Sequence, residues 1–144
     1  MNHPDRKDTT MTTVALGFED FESTITEKPI VLVDFWASWC GPCKQSFPFM
    51  NELQSRFGAD GFEVVAVNLD AKRGDADQFL AEVPARFTLA FDAKGESARR
   101  FEVRSMPSSL LIGRDGRIVV AHKGFKADDR KELEERVAQL VAAR

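Results

Sequence analysis

The chain has 144 residues, 43% of them hydrophobic and 30% charged, with a formal net charge of -3. That length suits one domain with a full core and is short for two, and a slightly acidic balance offers no basic excess to neutralise nucleic-acid phosphates. No apolar run reaches the roughly 20 residues of a membrane-spanning helix, and "MNHPDRKDTT" lacks the apolar region of a secretory signal. As written, the chain is expected in the cytoplasm, or in the periplasm if a signal or anchor segment was removed.

Residues 1–12 show no periodicity and read as a polar tail, leaving 13–144 as a single domain. In "GFEDFESTIT", Phe18, Phe21 and Ile25 recur at helical spacing, which predicts a short helix over about 18–26 ended by Pro29. "IVLVDFW" is a nearly continuous apolar, β-branched run, the pattern of a strand covered on both faces, with Asp34 as its one intruder. From Gly41, "GPCKQSFPFMNELQSRFG" places Phe47, Met50, Leu53 and Phe57 on one helix face, with Gly58 as the stop and Pro48 as an internal kink. "FEVVAVNLD" predicts a second buried strand, "DADQFLAEV" a short helix, and "FTLAFD" a further strand before a turn at "DAKGE". "SSLLIGRDGRIVVAHKG" reads as two strands joined across Asp115 and Gly116, and "DDRKELEERVAQLVAA" as an amphipathic helix with Leu133, Val137, Leu140 and Val141 on its apolar face. The order α, β, α, β, α, β, short α, β, β, α implies an α/β domain with parallel early strands and an antiparallel final hairpin.

Chemistry concentrates in "VDFWASWCGPCK", which holds the only two cysteines and both tryptophans. Cys40 and Cys43 could form a structural staple, half of a metal site or a redox pair. A disulfide across three positions closes almost no loop and constrains the unfolded chain very little. A structural zinc site needs four ligands, and only His3 and His122 accompany the pair. A strand that turns directly into a helix puts Cys40 at the helix N-terminus, where unpaired N–H groups and the helix dipole favour a thiolate, so Cys40 is the candidate nucleophile. Cys43 follows one turn later on the same side, placed to attack a mixed disulfide on Cys40. Pro42 suits the first helical turn, and Gly41 allows a partner backbone to come close.

"WCGPC" after a buried strand, with Asp34 six residues ahead of Cys40, resembles the active site of the thioredoxin superfamily, which also serves as the reference case for cysteine pairs of this spacing. Residues 18–57 resemble thioredoxin itself. The stretch of more than thirty residues between "VNLD" and "SMPSS", together with "FEVRSMPSSLLIGRDGRI" and "AHKGF", resembles the TlpA-like thiol-disulfide oxidoreductases. The resemblance implies a thioredoxin fold: a central mixed β-sheet flanked by helices, with a TlpA-like βα insertion before the cis-proline strand. It also implies that Pro107 is the cis-proline lying against the cysteines, that Met106 presents its backbone to an extended substrate, that Gly124 lines the groove opposite, and that Asp34 relays a proton to or from Cys43. Burial of a carboxylate in a strand raises its pKa toward the range of a base at neutral pH. Thioredoxin supplies a lysine beside this acid from the next strand, whereas "VVAVN" here is apolar.

The resulting expectation is a monomeric thiol-disulfide oxidoreductase in which Cys40 attacks client protein disulfides and Cys43, helped by Asp34, resolves the mixed disulfide. Electrons reside on the two sulfurs, with no metal, flavin or nucleotide cofactor, and an upstream redox protein such as a thioredoxin reductase or a membrane thiol reductase regenerates the dithiol. Trp39 adjoins the nucleophile as part of a docking surface; Trp36 serves equally well as core. Lys44 and the run "DDRKELEER" are expected to be solvated surface. Two rivals remain: a peroxidase on the same fold, whose motif carries a threonine ahead of the cysteine that "SWCGPC" lacks, and a non-catalytic module that holds a client in the groove near Pro107.

Overall fold

All seven positions of β1 (Ile30–Trp36) are buried, because the strand has a neighbour on each side and a packed layer on each face. The structure is a computed structural model that describes residues 30–143, so the expected tail, the helix over 18–26 and His3 lie outside the described residues. β1 pairs in parallel with β2 (Phe62–Asn68) and antiparallel with β4 (Ser108–Ile112). β3 (Thr88–Phe91) adds in parallel to β2, and β5 (Ile118–Lys123) closes an antiparallel hairpin with β4, giving the order β3-β2-β1-β4-β5. This is the mixed sheet of a thioredoxin-like fold, with the βα insertion expected before the cis-proline strand.

Residues alternate between the two faces of β1, as the pleat requires. Ile30, Leu32 and Trp36 enter one core with Phe47, Met50 and Leu53 of α1 (Gly41–Phe57) and Leu133 and Val137 of α4 (Ala127–Ala142). Val31, Val33 and Phe35 enter a second core with Val65, Val67, Leu110 and Ala98, the last on the short helix α3 (Glu96–Arg100). Asp34 has the parity of Leu32 and Trp36 and so belongs to the first face.

The inserted helix α2 (Arg73–Glu82) is tied into that first core through Phe79, whose ring centroid lies 4.7 Å from Trp36 and 5.2 Å from Phe47. Phe47 also meets Trp36 at 4.9 Å and Phe87 at 5.2 Å, both edge-on, the arrangement that ring quadrupoles favour. Asn51 of α1 fastens the segment after α2 by donating to the Pro84 carbonyl at 3.0 Å and accepting from the Arg86 N–H at 2.7 Å.

Pro48 lies inside α1, where its missing N–H leaves the Lys44 carbonyl without a helical donor, and the helix continues to Phe57. Two details differ from the sequence expectation. Gly58 does follow the helix, but in the right-handed conformation; the chain makes a 3-10 turn over Gly58–Asp60, and the left-handed residue is Gly61, at φ 91°. β2 stops at Asn68 rather than Asp70, because the Asn68 side chain accepts the Asp70 N–H at 3.0 Å and turns the chain out of the ladder.

Phe47→Ala, which removes the hub of the ring cluster, should cost about 3–5 kcal/mol in urea unfolding of the oxidised protein. A loss below about 1 kcal/mol would show that the rings are not a tightly packed unit.

Candidate active site

β1 ends at Trp36, and Ala37, Ser38 and Trp39 turn the chain into α1. Cys40 is the residue that caps the helix, with extended backbone (φ −88°, ψ 109°), its N–H donating to the Ala37 carbonyl at 3.1 Å. Pro42 occupies the first turn, where its lost N–H has no helical partner to give up. Cys40 and Cys43 are joined as a disulfide with their Cα atoms 5.4 Å apart. Cys40 is 4% exposed and Cys43 fully buried, so of the two cysteines only Cys40 meets solvent at all. Around it Gly41 and Pro42 are exposed, a side-chain carbon at Gly41 would meet nothing within 4 Å, and Trp39 stands 72% exposed. Trp36, by contrast, is wholly core.

Asp34 is completely buried on the face of β1 whose core contains both cysteines. Its lateral neighbours are Ala66 on β2 and Ser109 on β4. Ser109 Oγ donates weakly to Oδ1 at 3.4 Å, and Oδ2 has no hydrogen-bond partner. Desolvation by burial therefore dominates and pushes the Asp34 carboxyl up from 3.8 to about 7, the Ser109 contact pulling slightly the other way. Ala66, opposite Asp34, bears out the reading of "VVAVN" as supplying no cation there.

The Met106–Pro107 peptide is cis. Met106 is half-buried and packs against the core that holds the cysteines. The Pro107 carbonyl accepts the Gly124 N–H at 2.7 Å, which joins the end of β5 to the cis-proline turn. Gly124 has φ 88°, a conformation that side chains other than glycine rarely take. The structure thus brings Pro107 and Gly124 together.

Lys44 is exposed and reaches Glu82 of α2 at 3.9 Å, over a cleft beside Ser38 that Asp75, Gln78 and Phe79 also line. "DDRKELEER" is not uniformly solvated: Glu132 and Asp129 face His122 Nε2 at 2.8 and 3.7 Å, and Glu134 pairs with Arg56. His122 is therefore packed against α4. Sequence reasoning missed Ser109, and it missed Asp70, whose carboxylate bonds Ser38 beside the cysteines. Two polar residues, Asn68 and Asp70, at and just past the end of the apolar run at 64–67 were the available signal.

The Redoxin family pattern matches residues 4–138. The chain belongs to the Redoxin family. Among curated proteins, it is 31% identical over 111 residues to the thiol-disulfide oxidoreductase ResA of Bacillus thuringiensis subsp. konkukian (strain 97-27), covering 77% of this chain and 63% of that protein. The ResA of Oceanobacillus iheyensis is 35% identical over 102 residues, covering 71% of this chain and 53% of its own. The chain thus spans less than two thirds of these relatives. A crystal structure of a putative thiol:disulfide interchange protein DsbE from Chlorobium tepidum superposes with TM-score 0.79 at 51% identity, over 83% of this chain and 85% of the other. The thioredoxin-like fold of this Redoxin chain is shared with those relatives.

Burial of Asp34 links stability to pH. Below about pH 4 folded and unfolded chains both hold the Asp34 proton; between about 4 and 7 only the unfolded chain releases it, and above that the folded state has lost on the order of 4 kcal/mol. Asp34→Asn should therefore raise the urea midpoint at pH 8 far more than at pH 4, and an equal change at both would show that the carboxyl does not titrate abnormally.

Proposed function

We propose that the chain is a protein thiol-disulfide reductase acting through a mixed disulfide. The observation that carries this reading is the vertical order of the site: a nearly buried sulfur at the end of α1 beside an exposed tryptophan, a fully buried second sulfur, and a buried carboxyl of raised pKa on the same core face. The identity of this Redoxin chain to proteins named as thiol-disulfide oxidoreductases and interchange proteins supports the same reaction class.

In the reduced protein, the Cys40 thiolate attacks one sulfur of a client disulfide. A Cys40–client S–S bond forms and the client's other sulfur leaves as a thiolate. Asp34 then takes the Cys43 proton, and Cys43 attacks Cys40, forming the Cys40–Cys43 bond and expelling the second client thiolate, which accepts a proton. Two electrons pass from the dithiol to the client. Trp39, Gly41 and Pro42 form the rim that the client meets, and the Met106 backbone ahead of cis-Pro107, opposite Gly124, holds its extended chain. Another redox protein, a thioredoxin reductase or a membrane thiol reductase, returns the electrons. The bonds involved demand no metal, flavin or nucleotide.

Insulin reduction by dithiothreitol tests the reading: catalytic amounts of the protein should accelerate precipitation, and Cys40→Ser should abolish the acceleration. Equal rates with both would remove the enzymatic reading in favour of a client-holding module. Asp34→Asn should slow single-turnover resolution of a mixed disulfide by about 10- to 30-fold at pH 7, because a thiol of ordinary pKa is only a few per cent thiolate there. The deficit should shrink as pH rises past about 9, where Cys43 ionises unaided. A deficit independent of pH would assign Asp34 a packing role alone.

A further inference from the structure

Asp70 is 5% exposed, and both of its carboxylate oxygens are engaged. Oδ2 accepts the Ser38 N–H at 2.9 Å and the Asn68 Nδ2 group at 2.8 Å, while Oδ1 accepts the Ser38 hydroxyl at 2.8 Å. All three donors are neutral, and two belong to the residue just ahead of Trp39 and Cys40. The tie is reinforced on either side: the Leu69 N–H donates to the Trp36 carbonyl at 2.9 Å, and the Cys40 N–H to that of Ala37 at 3.1 Å. Removing a carboxylate so far from water is costly, and the three hydrogen bonds, two of them from one loop residue, offset that cost only while the loop keeps its place.

The loop has reason to be held. Trp39 is 72% exposed, so its own packing does little to orient it, and the direction of its ring follows the backbone of residues 38–40. Cys40 is positioned by α1 as well, through its place at the helix end and the bond to Cys43. Loosening Ser38 would therefore disturb the surface a large client must fit more than the intrinsic reactivity of the sulfur. We propose that Asp70 is a positioning residue for client docking: through Ser38 it fixes Trp39 and Cys40 as one rigid surface. The proposal rests on the reductase reading and adds the device that gives the docking face its shape.

Two substitutions separate geometry from charge. In Asp70→Asn the amide oxygen can accept from Ser38 N–H and Asn68 while its NH2 group donates to the Ser38 hydroxyl, so the tie survives without charge. Asp70→Ala abolishes it. With insulin as substrate, Asp70→Ala should raise KM about tenfold or more. Alkylation of reduced Cys40 by iodoacetamide should stay within about twofold of wild type, because that small reagent reports thiolate character and not docking. Asp70→Asn should restore KM. Backbone 15N order parameters at residues 38–40 in the oxidised protein should fall from about 0.85 toward 0.6 in Asp70→Ala and recover in Asp70→Asn.

Equal losses in KM and alkylation, no change in either, or an Asn variant that behaves like Ala would each overturn the proposal. If Asp70→Ala does not fold by circular dichroism, Ser38→Ala, which removes only the hydroxyl donor from a half-buried loop, decides the matter: its KM and order parameters must move in the same directions, or the latch is refuted. A wild type inert toward insulin would count against the reductase reading, while the order parameters would still decide the latch.

Discussion

The arrangement depends on β1 being covered on all sides. A strand with hydrogen-bonded neighbours on both edges and packed layers on both faces must send alternate side chains into two separate cores, and one step of register would exchange them. Leu32 and Trp36 thereby line the core beneath α1, and Asp34 goes with them because it shares their parity. The carboxyl is not carried to the cysteines by a loop of its own. It arrives there because β1, whose end at Trp36 leads through a three-residue turn to Cys40, carries the acid six residues ahead of that cysteine.

That placement is costly, and its neighbours do not relieve it. Ala66 stands on one side, and Ser109 offers one long hydrogen bond on the other. With no cation opposite, desolvation governs the carboxyl and holds its pKa near 7. The same imbalance that weakens the folded state above neutral pH leaves a carboxyl whose protonation changes near neutral pH. Asp70 shows the alternative: a buried carboxylate, 5% exposed, whose oxygens are both hydrogen-bonded and hold a loop.

The insertion between β2 and β4 is integrated with the core beneath the site. Phe79 joins α2 to Trp36 and Phe47, and Asn51 fastens the segment that leads to β3. α2 therefore forms a fixed wall of the cleft beside Ser38 and Lys44, so the insertion contributes to the shape of the face around Cys40.

Local pattern was enough for much of this. The apolar β-branched run of β1, the helical spacing of Phe47, Met50 and Leu53, the Asp115-Gly116 turn and the paired cysteines at a strand-to-helix junction are properties of adjacent residues, and they determined the elements and the fold class and marked the cysteines as the candidate redox pair. The cis bond at Pro107, its link to Gly124, the isolation of Asp34 between Ala66 and Ser109, and the bonds from Asp70 to Ser38 were decided only in the tertiary structure. The link and the hydrogen bonds join residues that are remote along the chain, the isolation of Asp34 depends on how completely water is excluded, and an X–Pro bond can take either isomer whatever its sequence neighbours. A hydrogen bond between residues 32 positions apart leaves no periodicity to read, and a carboxyl's pKa depends on what packs around it rather than on its neighbours in sequence.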